Sequence, residues 1–365
     1  MINKRTRGRC RQEGRRRGFV LIVAAVACVI LIGCVGMAVD LGRLYLIKSE
    51  AQNYVDSAAL RAAVLLDGTS SGLMQAEYSA AQSRDRYDMA SRPFTNTVLK
   101  VSPSVDGPWY SAAGAPLKSR FVRVSTSVNA PMYFIQAVTL KSTGTVTAVG
   151  TGAQVEKRVF TEGLFPFSPF AHNANPPHYG LTPGVDYTMR WPAKPKLGGK
   201  SVCPGDQFQE VIDTAEAAGG EERGFIEETS ASRIRDTIIN DFQTVTRTVG
   251  ELVDLTGGAK QTMLEALETR IEQDTDAFST SYSDYVKTGI GNGRRLVGMP
   301  INDGGTPRGV NHRIVSIGLF FIKPTGYYGS GGGQGWCAEY VGAYVEGSNR
   351  KGVEDSGAWV VRLVR

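Results

Sequence analysis

FVLIVAAVACVILIGCVGMAV fills positions 19–39, and DLGRLYLIKSEAQNYVDSAALRAAVLL follows at 40–66. The first block runs 21 residues without a charge. As a helix it would be roughly 31 Å long, against a bilayer hydrocarbon core of about 30 Å. Twelve of its side chains are Phe, Val, Leu or Ile. Each favours insertion by a few tenths of a kcal/mol, on the order of −4 to −7 kcal/mol together. The block is therefore expected to cross a membrane once.

The second block is amphipathic. Leu44, Lys48, Ala51, Val55, Ala58, Ala62 and Leu65 recur at four-three spacing, with Ser49, Glu50, Gln52, Asn53, Asp56 and Arg61 between them. No proline precedes Pro93, and the first turn signal is Asp67-Gly68. The two blocks thus predict one unbroken helix from Phe19 to Leu66, roughly 72 Å long. The candidate helix-packing face is Leu44, Ala51, Val55, Ala58, Ala62 and Leu65, with Ala59 and Ala63 beside it. Residues this small suit close packing, either on the chain's own domain or on a neighbour's helix.

The net charge is +6, which on its face suggests nucleic acid. Residues 1–18 alone carry +7, from Lys4 and seven arginines against Glu13, so the other 347 residues carry −1. A charge confined to one flank of an apolar run sets orientation. Lys and Arg stay cytoplasmic, which predicts an inside N-terminus and residues 40–365 outside. No nucleic-acid partner is expected. Two rival readings use the same region. Arg16-Arg17-Gly18-Phe19-Val20 partly matches a twin-arginine export signal. Leu31-Ile32-Gly33-Cys34 fits a lipoprotein lipobox, although the apolar VGMAV after Cys34 suits a spanning segment better. Of five cysteines, Cys10 would be cytoplasmic and Cys28 and Cys34 within the membrane. Cys203 and Cys337 would lie outside, where they can form a disulfide or stay as two buried thiols.

Phe19 to Ala63 resembles the N-terminal segment of the Tad-type (Flp) pilus-assembly proteins, the TadE/TadG-like group. The resemblance is carried by Arg17-Gly18, Gly33, Gly36, the exit motif Ala38-Val39-Asp40-Leu41-Gly42-Arg43, Glu50-Ala51-Gln52-Asn53, Asp56-Ser57-Ala58-Ala59-Leu60 and Ala62-Ala63. It implies a bacterial, single-pass inner-membrane protein of a pilus or secretion apparatus, with a periplasmic soluble part. There are two departures. Gly18-Phe19 looks like a prepilin cleavage site, but Val23 stands where pilins carry Glu. Many TadG-like proteins carry a von Willebrand factor A domain with an Asp-x-Ser-x-Ser metal motif; Asp67-Gly68-Thr69-Ser70-Ser71 instead follows a helix and reads as a stop and loop.

The organisation expected is a basic tail (1–18), a spanning helix (19–39), its extracytoplasmic continuation plus a second helix (40–92), a small β-rich region (93–155) and an α+β domain (156–365). Within the exit motif Asp40, Gly42 and Arg43, the carboxylate of Asp40 can pair with Arg43 one helical turn on. The second helix is expected over Leu73–Ala90 with Met74, Tyr78, Ala81 and Tyr87 inward. β alternation marks 95–101, 122–128 and 145–155, and Ala130-Pro131-Met132-Tyr133-Phe134-Ile135 is expected to pack into a core, with an interaction patch as the alternative. Eight prolines among aromatics over 156–228 predict ordered loops and short strands such as Tyr187–Trp191. A long helix is expected over Thr229–Val253 and another over Ala259–Asp274. Strands follow at Arg295–Ile301, Arg313–Lys323, Trp336–Glu346 and Ala358–Val364. The fold class is α+β with a mostly antiparallel sheet.

Little points to chemistry. His172, His178 and His312 show no metal spacing, and Gly257-Gly258-Ala259-Lys260-Gln261-Thr262 lacks the phosphate-loop pattern. No GxSxG elbow occurs. Glu221, Glu222, Glu227 and Glu228 read as a solvated run. The expectation is a non-enzymatic assembly or structural component that needs no cofactor and no small-molecule substrate, with the membrane and other pilus or secretion-machine proteins as partners. The alternative is a membrane-tethered periplasmic hydrolase built on 156–365.

Overall fold

Helix α1 spans Glu13–Val64, 52 residues without a break. The computed structural model describes residues 13–83, 88–89, 92–94, 96–136, 141–192, 194–217, 222–226, 230–257, 261–304, 312–329, 333–347 and 350–364. No proline interrupts α1, and its end follows from local chemistry. Leu65 N–H donates to Ala62 O at 3.1 Å, and Gly68 takes φ 80°. The Asp67 carboxylate then accepts from Thr69 N–H and Oγ1 at 2.9 and 2.7 Å. DGTSSG is thus a helix stop and cap.

Helix α2 runs Ser70–Ser83, shorter than the expected 73–90. Its inward face also differs. Leu73, Ala76 and Ala80 are buried, while Met74 and Tyr78 are 66% and 67% exposed. Hydrophobicity alone favours the larger side chains inside. Here the face of Leu73, Ala76 and Ala80 turns inward, leaving Met74 and Tyr78 outside. Tyr87 lies outside the described residues.

The remaining elements follow in chain order. β1 (Asp88–Met89) pairs with β2 (Arg92–Pro93). β3 (Asn96–Ser102), β4 (Phe121–Pro131) and β5 (Thr143–Glu156) are the three expected alternating strands. β6 (Val159–Phe160) and β7 (Asp186–Arg190) precede α3 (Gln209–Ala217) and β8 (Glu222–Phe225). Then come α4 (Ala231–Asn240), β9 (Arg247–Thr248), β10 (Leu252–Val253), β11 (Thr256–Gly257), α5 (Gln261–Glu272) and α6 (Tyr282–Thr288). The chain closes with β12 (Leu296–Asn302), β13 (His312–Ile322), β14 (Trp336–Gly342), β15 (Tyr344–Val345), β16 (Arg350–Lys351) and β17 (Ala358–Leu363).

One sheet has the order β16-β15-β17-β5-β4-β3. In it β17 is antiparallel to β5 and parallel to β15. A second has the order β10-β13-β14-β7, with β12 also antiparallel to β13. The class is α+β.

Two compact units divide the chain: Met1–Ser57 with Ala81–Val98 and Val124–Gly150, and Ala58–Ala80 with Leu99–Arg123 and Thr151–Arg365. In the first, Ala51, Tyr54, Val55, Phe94, Val124 and Ala148 are buried, and the Tyr54 ring stacks on Phe94 at 4.9 Å. In the second, every residue of β12 and β14 is buried. One core cluster joins Met299, Phe320 and Tyr340 to Ile234, Ile238, Leu267 and Ile271 of α4 and α5. Another joins Leu319, Phe321 and Val341 to Ile212 of α3 and Tyr285 of α6. Burial on both faces explains why these strands read as nearly continuous apolar runs.

The helix expected over Thr229–Val253 stops at Asn240. Asp241 adopts φ 58°, with its N–H returning to Thr237 O. Its carboxylate takes Arg270 Nη1 at 2.6 Å and Arg294 Nη1 at 2.9 Å, and Arg270 also donates to the Ile238 carbonyl. Side chains distant in sequence thus end the helix by binding its last turn. Phe242 is then 62% exposed, and the buried Gln243 bonds Phe160 O, Val245 O and Leu164 N–H.

Candidate functional site

From residue 18 to residue 42 every described side chain of α1 is exposed, with two exceptions, Gly36 and Asp40. The spacing of four puts them on one side of the helix. Both are covered by the same short segment, Tyr133–Ile135. A methyl group on Gly36 would stand 2.6 Å from Phe134 Cβ, so only glycine lets this ring lie on the helix backbone. One turn on, Asp40 accepts from the backbone N–H groups of Tyr133, Phe134 and Ile135 at 3.0, 2.7 and 2.7 Å. Burial pulls the Asp40 carboxyl upward, but the three amides, with Arg43 nearby, outweigh it and hold it below its ordinary value.

Arg43 does not form the expected one-turn pair with Asp40. Its guanidinium lies over the Tyr133 ring, 4.3 Å from the centroid. Gly42 has open space where a side chain would go, so packing makes no demand for glycine there. The segment itself also departs from expectation. Ala130 and Met132 are buried, but Tyr133 and Phe134 are 54% and 47% exposed. Two of the aromatic-apolar residues expected in a core therefore point outward.

Further along α1 the candidate packing face meets the chain's own strand. Ala51, Val55, Ala58 and Ala62 are fully buried, Leu44 and Leu65 half-buried, and Lys48 exposed. In the first unit, Leu44 lies against Gly144. Lys48 Nζ donates to Thr147 O, and Gln52 Nε2 donates to Val149 O at 2.9 Å. A methyl on Gly150 would stand 2.5 Å from Asp56 Oδ1. In the second unit, a methyl on Gly152 would stand 2.6 Å from Ala59 O. The buried Gln154 donates to Ala63 O and Leu66 O at 2.9 and 2.7 Å and accepts from Val353 N–H at 3.0 Å. Of the two partners open to this face, the chain's own sheet occupies it. The sequence signal for the strand side is Ala148, Gly150 and Gly152 at alternate positions, with Gly144 two places before Val146 on the same face, small residues mostly opposite small residues.

In the second unit Cys203 and Cys337 form a disulfide with Cα atoms 5.6 Å apart. The histidines stand separately. His172 Nε2 meets Asp206 Oδ1 at 2.8 Å, His178 Nδ1 meets Tyr340 OH at 3.1 Å, and His312 is buried against Phe170. Burial pushes the His312 imidazole below its usual value. Among the described residues no three of His, Cys, Asp and Glu converge as a metal site. Glu221, Glu227 and Glu228 lie outside the described residues. One cleft of about 380 Å³ is lined by Asp67, Gln75, Tyr282, Tyr285, Arg350 and Lys351. Another, about 470 Å³, is lined by His172, Glu210, Asp303 and Arg313.

Residues 18–65 match the family model Tad, described as Flp pilus-assembly TadE/G-like. Comparison with curated proteins and with solved structures returned no match. The Tad segment coincides with the exposed apolar run, the Asp40 junction and the buried half of α1. A family of pilus assembly and an apolar helix that fits a membrane anchor together indicate a pilus-related component.

Proposed function

We propose that the chain is a single-pass membrane protein of a Tad/Flp-like pilus or secretion apparatus, acting by protein–protein packing and not by catalysis. The observation that carries this is the continuity of α1. One unbroken helix holds a run of mean hydropathy 3.0 with none of that window buried, then a half whose alanines are fully buried. An exposed run of that length is costly in water and favourable in lipid. The tail arginines support an orientation with the N-terminus in the cytoplasm and the rest in the periplasm of a bacterial inner membrane.

Because Ala51, Val55, Ala58 and Ala62 are covered, contacts with other components fall elsewhere on the helix, on the exposed positions Glu50, Asn53 and Arg61. Photocrosslinkers at Asn53 and Arg61 in cells are expected to capture other pilus components. Products confined to the chain itself would overturn the assembly role. Protease added to spheroplasts is expected to degrade residues beyond 40; survival of that part in intact spheroplasts would overturn the orientation.

A further inference from the structure

The segment over Gly36 and Asp40 has a face that the assembly reading leaves unused. Phe134 touches α1 at Gly36, three residues before the uncharged block ends at Val39, about 4.5 Å along the axis. Its ring thus sits at the depth of the last apolar turn. The α1 residues around that depth are open: Val35 64%, Met37 47%, Val39 45% and Leu41 54% exposed. Tyr45 and Leu46 continue the open face one turn further, at 75% and 63%. Phe134 and Tyr133 add two half-exposed aromatic rings to this collar, and the Arg43 guanidinium lies over the Tyr133 ring, 4.3 Å from its centroid.

We infer that Tyr133–Ile135 is a second membrane contact, a turn pinned to α1 by Asp40 that inserts Phe134 and Tyr133 into the headgroup–acyl boundary of the outer leaflet. Aromatic rings with an adjacent cation are the side chains that favour that layer. Lipid is the occupant because the patch is continuous with the exposed anchor surface at the same depth. The three N–H groups of the turn are satisfied by donating to the Asp40 carboxylate, which an apolar surrounding requires. The turn would fix how deep the anchor sits and which way α1 faces about its axis.

This rests on the anchor reading, and the test separates the two. The full chain is made with p-benzoylphenylalanine in place of Val29, of Tyr133 or of Phe134, reconstituted in dioleoylphosphatidylcholine vesicles and irradiated, and the tryptic peptides are weighed. The expected result is a mass increase of one phospholipid at all three positions. Lipid captured at 29 but at neither 133 nor 134 overturns the inference and leaves the anchor standing, whether the label at 134 joins a second copy, its own chain or nothing. Lipid captured at none of the three overturns both.

Discussion

Gly152 lies against Ala59 so closely that a methyl group on its Cα would stand 2.6 Å from the Ala59 carbonyl oxygen. Backbone cannot give way as a flexible side chain can, so any larger residue must lift α1 from β5. Gly152→Val is expected to lower stability by about 1–3 kcal/mol. Gly42→Ala, in a helix with nothing within 4 Å, is expected to be neutral or stabilising by up to about 1 kcal/mol. Urea unfolding of the detergent-solubilised chain compares the two. Equal effects would refute the close approach.

Gln154 holds the end of α1 from the sheet side, donating to Ala63 O and Leu66 O while accepting from Val353 N–H. Gln154→Leu strands three buried backbone groups and is expected to cost about 1–3 kcal/mol. Gln154→Glu should be no better, because a carboxylate cannot donate to a carbonyl. Hydrogen exchange of the last turn of α1 is the second readout, with faster exchange expected in both variants.

Acid should loosen the second unit through Asp276. Burial raises its carboxyl, but Thr288 Oγ1, Ser279 Oγ and N–H, and Phe278 N–H donate to it and bring it down to about 2. A carboxylate below its unfolded value near 3.8 stabilises the fold fully above that pH. The contribution fades as pH falls from there through about 2. Asp276→Asn is expected to flatten the stability profile between pH 4 and pH 2 while lowering stability at neutral pH. Unfolding titrations of both proteins across that range test it.

The Cys203–Cys337 disulfide closes a separation of 134 residues. Replacing both cysteines with serine is expected to cost about 2–4 kcal/mol. Alkylation of whole cells before lysis also tests the compartment. Both thiols should resist labelling until reduced, whereas free thiols in the native protein would place this part of the chain in a reducing space.

Much of the fold is written locally. The helix over 19–66 needs no partner to be recognised, since an uncharged run followed by four-three spacing without proline has one simple solution. The strands at β3, β4, β5, β12 to β15 and β17 follow from alternation or continuous apolar runs. Misreadings arose where a distant residue overrules a local pattern. Phe242, Val245 and Val249 continue the stripe of α4 on paper, yet Arg270 and Arg294 hold Asp241 in the left-handed region and end the helix there. On α2 the larger apolar residues looked inward-facing, and Leu73, Ala76 and Ala80 are the ones buried.

By itself the amino-acid sequence determined that one helix can cross a bilayer, that it runs on unbroken to the Asp67-Gly68 stop, and that an α+β body follows, because helical periodicity, hydrophobic length and strand alternation are properties of neighbours along the chain. Only the tertiary structure decided that the small-residue face of α1 is covered by the chain's own β5, that Asp40 binds three amides ninety-odd residues away in place of Arg43, and that Tyr133 and Phe134 face outward. Those outcomes depend on which surfaces meet in space, and a carboxylate or a glycine looks the same in the sequence whichever distant backbone comes to rest against it.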